Sequence, residues 1–155
     1  MLRKILFVSL AVITLASCKK DKDDAPAYHV SATVDGVKKD FNTAIAAQKD
    51  GNAQSGYTIF IVAIGGTASS PLPAFNLGIY DDAAISAKTY TAAQSKADGS
   101  YVDASQTSYE SDNDFSITIS SVTATEVKGS FSGKVDDGSG NIVNITEGSF
   151  SAKFE

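Results

Sequence analysis

Apolar and polar positions alternate through most of the chain, most cleanly in its last third. Phe115, Ile117 and Ile119 alternate with Ser116, Thr118 and Ser120. Val127, Gly129, Phe131, Gly133 and Val135 alternate with Lys128, Ser130, Ser132 and Lys134. A period of two marks a half-buried strand, because successive side chains point to opposite sides of the pleat. Asp136-Asp137-Gly138-Ser139-Gly140 reads as a turn. Ile142 to Thr146 reads as a strand, and Phe150, Ala152 and Phe154 form another by alternating with Ser151, Lys153 and Glu155. Near the start, Tyr28, Val30, Ala32 and Val34 share one face. Asp35-Gly36 is a two-residue turn signature, so a returning strand over Val37 to Phe41 completes a hairpin.

The middle of the chain is less regular. Residues 42–56 are small and polar and predict mostly loop. Tyr57 to Ile64 is apolar at both parities, which predicts a central strand covered on both sides. Phe75, Leu77 and Ile79 give a further strand. Residues 83–97 are alanine-rich, yet Thr89-Tyr90-Thr91 favours a short strand over 87–91 followed by loop. Short strands are expected at 101–104 and 107–111. About eight to ten strands without a long helix predict an all-β fold, a single antiparallel domain over residues 28–155. A flattened, lipocalin-like up-and-down barrel is the expected form, with a Greek-key β-sandwich as the alternative. There is no Cys-Trp-Cys immunoglobulin framework. The alternating segments are too short and serine-rich for a membrane barrel, and aromatic girdles are not apparent.

The first seventeen residues follow a different pattern. Arg3 and Lys4 precede an eleven-residue apolar run, Ile5 to Leu15, and small Ala16 and Ser17 come before Cys18. That is the layout of a secretory signal peptide over residues 1–17. The run falls short of the roughly 20 residues a spanning helix needs. Residues 18–27 carry six consecutive charges, Lys19 to Asp24, followed by Ala25-Pro26-Ala27, and read as a solvated tether.

Composition narrows the partners. Cleavage before Cys18 removes Arg3 and Lys4, taking thirteen basic residues to eleven against eighteen acidic ones, a net charge of −7. That sign disfavours nucleic acid and anionic lipid surfaces. Cys18 is the one cysteine, so no disulfide can form within the chain.

Leu15-Ala16-Ser17-Cys18 resembles the lipobox of bacterial lipoproteins. The resemblance implies cleavage between Ser17 and Cys18 and a diacylglyceryl group on the Cys18 thiol, anchoring the protein to a membrane. Several acyl chains on one cysteine hold durably, where one alone holds marginally. Lys22-Asp23-Asp24 resembles the surface-export signal of Bacteroidota lipoproteins, which implies an outer-membrane and surface-exposed location. Ser31-Ala-Thr-Val-Asp-Gly36, Val127-Lys-Gly-Ser-Phe-Ser-Gly133 and Ile145-Thr-Glu-Gly-Ser-Phe-Ser-Ala-Lys-Phe154 resemble uncharacterised β-domains of the same group, which run from an N-terminal hairpin to a C-terminal Gly-x-Phe strand pair. Those domains often carry an aromatic after the first hairpin, here Phe41. The resemblance carries fold and location but no activity.

Candidate chemistry is sparse. His29 is the one histidine and lies on the polar face of a strand. Gly129-Ser-Phe-Ser-Gly133 has Phe131 where a nucleophile elbow needs serine. Gly65-Gly66-Thr67 lacks the lysine of a phosphate loop. Asp81-Asp82 and the other acidic pairs read as turns. Weak calcium candidates are Asp112 and Asp114, or Asp136, Asp137 and Asn141, as oxygen ligands on loops. Asn144-Ile145-Thr146 fits a glycosylation acceptor by chance. No catalytic constellation stands out, and no metal or cofactor is expected. The expected function is a non-catalytic binding or accessory module, with Tyr57, Tyr80, Tyr90, Tyr101 and Tyr109 as contacts for a small apolar or sugar ligand. The alternatives are a structural or interaction subunit with an envelope protein partner and, remotely, an enzyme such as a glycan hydrolase.

Overall fold

The computed structural model describes residues 28–155, so Ser17, Cys18, Lys22, Asp23 and Asp24 lie outside the described residues. The fold is all-β: one antiparallel sheet curled into a half-barrel. Its strands are β1 (His29–Val34), β2 (Val37–Asp40), β3 (Ala44–Asn52), β4 (Gly56–Ile64), β5 (Ala74–Asp81), β6 (Thr89–Thr91), β7 (Ala97–Val102), β8 (Ser108–Ser111), β9 (Ser116–Val122), β10 (Glu126–Asp136) and β11 (Ile142–Lys153). The main path runs β2-β1-β11-β10-β8-β7-β5-β4-β3. First and last strands are therefore paired, one strand in from the β2 edge, while β2 and β3 form the two edges.

The curl follows from this order. The edge strands are consecutive in sequence, joined by Phe41-Asn42-Thr43 alone, so a sheet nine strands wide must bend until its edges nearly meet. The connector stitches both sides: Phe41 N–H donates to Val30 O at 2.8 Å and Thr43 N–H to Ile64 O at 2.9 Å. Phe41, the aromatic after the hairpin, is fully buried with its ring edge-on to Phe75 and Tyr101. A parallel bridge between Ala47 and Phe154 joins the β3 edge to the end of the chain.

The alternating segments sit as their pattern requires. Val30, Ala32 and Val34, then Ile59, Ile61 and Ala63, then Phe75, Leu77 and Ile79 all face one core. The Gly-x-Phe pair is reciprocal. Gly129 on β10 lies opposite Phe150 on β11, and Phe131 opposite Gly148. A Cβ on Gly148 would fall 2.7 Å from the Phe131 ring, and one on Gly129 2.6 Å from the Phe150 ring. Each ring thus occupies the space that the opposing glycine leaves.

Four expectations change. Residues 42–56 are mostly strand, because β3 makes a nine-pair ladder with β4 that its own weak propensity does not announce. Ile142–Thr146 and Phe150–Phe154 belong largely to one strand, β11, bulged near Glu147, which takes a positive φ of 51°. Strands number eleven among the described residues, past the expected eight to ten. And β4 is covered on one side only: Phe60 is 45% and Val62 44% exposed, because no second layer packs on that face among the described residues. The connectivity is a meander with one branch. β10 pairs β9 along its first half and β8 near its end, and β9 in turn carries β6.

Candidate functional site: a clasped cleft at the barrel rim

The concave face of the sheet is filled. Phe75, Phe115, Phe131, Phe150 and Tyr90 are fully or almost fully buried there, with aliphatic residues from eight strands around them. Tyr90 and Tyr101 are core residues, which takes them out of reach of an external ligand. Any ligand would therefore be met at the surface.

At the rim lies a cleft of about 360 Å³, within the range of small-molecule sites. Three segments far apart in sequence form it. The β3–β4 hairpin brings Lys49, Asp50, Gly51, Tyr57 and Thr58; the 82–88 loop brings Ala84 and Ile85; the β9–β10 turn brings Val122 and Thr123. The hairpin can fold this tightly because Gly51 adopts φ +116°, where a Cβ would lie 2.1 Å from Gly56 O. Ile85 and Val122 are half-buried and continuous with the core, so the cleft has an apolar floor.

The 82–88 loop is clasped at two points. The Tyr90 hydroxyl accepts from Ser86 N–H at 2.9 Å and donates to Ser86 O at 3.1 Å. Below it, Asp81 is buried to 3% side-chain exposure and pairs with two lysines. Lys88 Nζ donates to Oδ2 and Lys96 Nζ to Oδ1 at 2.7 Å. Those hydrogen bonds, Lys88's first, hold the Asp81 carboxyl well below the usual carboxylate range against the opposing effect of burial. Lys88 Nζ also sits 4.9 Å from the centre of the Tyr90 ring. The charge clasp thus fixes the loop that walls the cleft.

The polar groups of the cleft are unequally committed. Thr123 Oγ1 accepts from Thr125 and Glu126 N–H and donates to Glu126 O. Asp50 Oδ1 accepts from Gly51 N–H at 2.7 Å. Lys49 Nζ donates to Thr123 O at 3.4 Å and lies 5.0 Å above the Phe154 ring.

Two further surfaces stand out. On the outer face of β4, β5 and β7, Phe60 meets Tyr80 edge-to-face at 5.6 Å. Tyr80 OH donates to Asp98 at 2.8 Å, and burial followed by that carboxylate pushes the phenol up to about 12. Gly78 makes room for this pair, since a Cβ there would lie 2.2 Å from Asp98. A shallower groove of about 220 Å³ on the outside of β9–β11 is lined by Ser116, Thr118, Ser130, Ser132 and Glu147. Here Thr118 pairs with Thr89 and Glu147 accepts from Thr33 Oγ1.

Of the expected ligand contacts, Tyr57 alone lines the cleft; Tyr109 stacks on Tyr101. The calcium candidates are used in turns. Asp112 accepts from Asn113 N–H, Asp114 from Lys134 N–H, and Asp136 from Gly138 N–H. Asn141 and the turn N–H groups hold Asp137 below the ordinary carboxylate range. Among the described residues no three His, Cys, Asp or Glu side chains group as metal ligands. His29 lies half-buried opposite Ser151 on β11, apart from the cleft residues. Asn144 N–H donates to Asp35, tying the first hairpin to β11. By sequence, Asp81 belongs to an acidic pair that suggests a turn. The signal that could have found it is parity: Phe75, Leu77, Ile79 and Asp81 share one face, which puts a carboxylate at an inward position. Comparison of the chain with protein-family models, with curated proteins and with solved structures finds no match.

Proposed function

We propose that this chain is a membrane-anchored envelope lipoprotein of the Bacteroidota type, with lipid on Cys18 and a non-catalytic β-domain that binds a small apolar or sugar ligand in the rim cleft. The observation that carries the binding role is the cleft itself. It is an open, apolar-floored depression whose wall loop is held in place by a buried ion cluster, on a domain whose interior has no room for a ligand. Preformed walls lower the ordering cost of binding. The anchor rests on the pattern of residues 1–24, from the apolar run through Cys18 to Lys22-Asp23-Asp24.

Titrating the isotope-labelled protein with small apolar compounds and simple sugars tests the binding role. Chemical-shift changes confined to Tyr57, Ile85, Val122 and their neighbours are expected, and a panel that leaves those signals unmoved sinks it. The anchor is tested by acyl labelling in cells. Cys18→Ser should lose the label, and a wild-type chain without lipid ends that part of the reading.

A second reading, an interaction subunit of an envelope complex, is favoured by exposed Phe60 and Val62 beside Tyr80. Cross-linking through a residue placed at Val62 would capture a partner under this reading and nothing under the first.

A further inference from the structure

The cleft lining carries one ammonium, that of Lys49, with no carboxylate paired to it. Thr123 Oγ1 is engaged by its own turn, and Asp50 holds Gly51 N–H through Oδ1 while its Oδ2 stays open. Lys49, like Lys38, Lys39 and Lys153, has no carboxylate within ion-pair distance among the described residues, and of these four it alone lines the cleft. Its ammonium carries three N–H donors, and one long bond to Thr123 O uses one of them. The Phe154 ring under it and the Thr123 carbonyl beside it restrict where the ammonium can go. The hydroxyls of Tyr57 and Thr58 have no hydrogen-bond partner among the described residues and add two more donors at the same wall. Facing these donors are the side chains of Ile85 and Val122.

From this we infer that the ligand is a small organic acid with an apolar or aromatic body, its carboxylate on Lys49 and its body on Ile85, Val122 and the Tyr57 ring. The inference rests on the reading of the cleft as a ligand site and adds the ligand's chemical class. A neutral sugar would use the hydroxyls but leave the ammonium without a counter-charge. An amine would meet Lys49 with like charge and would have Asp50 as the one carboxylate in the lining to pair with. The volume of about 360 Å³ suits one ring and a short side chain.

The test uses the mature chain, residues 18–155 with Cys18→Ser so that neither lipid nor detergent is present, and three probes with one common body: 3-phenylpropionate, 3-phenylpropanol and 3-phenylpropylamine. Affinity and binding location are read together by two-dimensional NMR. The acid should bind about tenfold more tightly than the alcohol, and the amine more weakly than either. Lys49→Met should bring the acid to the alcohol's affinity, while Lys49→Arg keeps the preference; unchanged amide signals away from the cleft show that both variants fold. If acid and alcohol bind equally at Tyr57, Ile85 and Val122, the ligand class is overturned and the cleft reading stands. If no probe moves those signals, the cleft reading fails and the inference with it. An acid preference that survives Lys49→Met overturns the role given to Lys49.

Discussion

The wall formed by β10 and β11 and the rim formed by the β3–β4 hairpin and the 82–88 loop are built on opposite principles. In the wall, two copies of Gly-Ser-Phe run antiparallel, and each Phe ring fills the gap above the other strand's glycine. Shape reinforces this pairing: a register slip of one residue would send the slipped strand's ring outward. In the rim, the loop contributes one half-buried apolar residue, Ile85, and is fixed by a buried carboxylate, two lysines and one tyrosine hydroxyl. The wall supplies stability through contacts that a ligand never sees. In the rim, polar interactions hold a surface open, where the proposed ligand would bind. The two regions should therefore respond differently to substitution: the wall in stability, the rim in binding.

The largest effect is expected in the wall. The Phe131 ring lies 4.9 Å from Phe75 and 6.4 Å from both Phe115 and Phe150. Phe131→Ala would leave a cavity at the meeting point of four rings and uncover Gly148. Urea denaturation should show a loss of about 3–5 kcal/mol, and whatever protein remains folded should bind its ligand normally. A loss under 1 kcal/mol would mean that the rings are not the wall's support. Asp81→Asn comes next, at about 1–2 kcal/mol, for the charged hydrogen bonds it removes. The comparison here is sharpened by pH. The Asp81 carboxyl lies below its ordinary value of 3.8, so its contribution is fully present above that value and is lost as pH falls toward the folded one. Wild type should exceed Asp81→Asn by a constant margin at neutral pH, and the margin should close below about pH 4. A margin that persists into strong acid would assign the effect to packing. Binding at the cleft should weaken in this variant even where the protein stays folded.

Legibility in the sequence divides along the same line. The wall could be read because it obeys one local rule. Strict alternation through Val127–Val135 and Phe150–Phe154 states which residues face inward, and antiparallel pairing of consecutive strands does the rest. The Asp35-Gly36 hairpin was legible for the same reason. β3 was not, because Ala44 to Asn52 has little intrinsic strand preference and takes its form from the ladder with β4. The exposed face of β4 misled in the other direction. Phe60 and Val62 look like core from composition, and only the absence of a covering layer among the described residues shows otherwise. The cleft was invisible as a site. Its residues come from positions 49–58, 84–85 and 122–123, and none belongs to a motif. Residue type alone points to Tyr57, no sequence motif points to Asp81, and Lys49 stands out only by its place in the cleft lining.

Tyr90→Phe tests the weaker of the rim's two clasps. It keeps the buried ring and deletes one hydroxyl, which serves Ser86 N–H and Ser86 O together. Stability should fall by about 1 kcal/mol. The loop should exchange its amide hydrogens faster while the wall is unchanged. If hydrogen exchange rises equally in β10 and β11, the rim does not open independently and the two regions form one cooperative unit.

The smallest effect should have the opposite sign and lies in the wall. Glu147 sits at the β11 bulge with φ 51°, a left-handed conformation that costs a side-chain-bearing residue about 1–2 kcal/mol. Its carboxylate accepts one exposed hydrogen bond, from Thr33 Oγ1 at 3.0 Å. Glu147→Gly would relieve the backbone strain, at the cost of about 0.5–1 kcal/mol in greater unfolded-chain freedom. A net gain of roughly 0.5 kcal/mol is expected from the difference between those two terms. Glu147→Ala, which loses the carboxylate and keeps the strain, should gain nothing. If both variants are destabilised to the same degree, the bond to Thr33 outweighs the backbone. The wall would then depend, at its one irregular point, on the same kind of polar clasp as the rim.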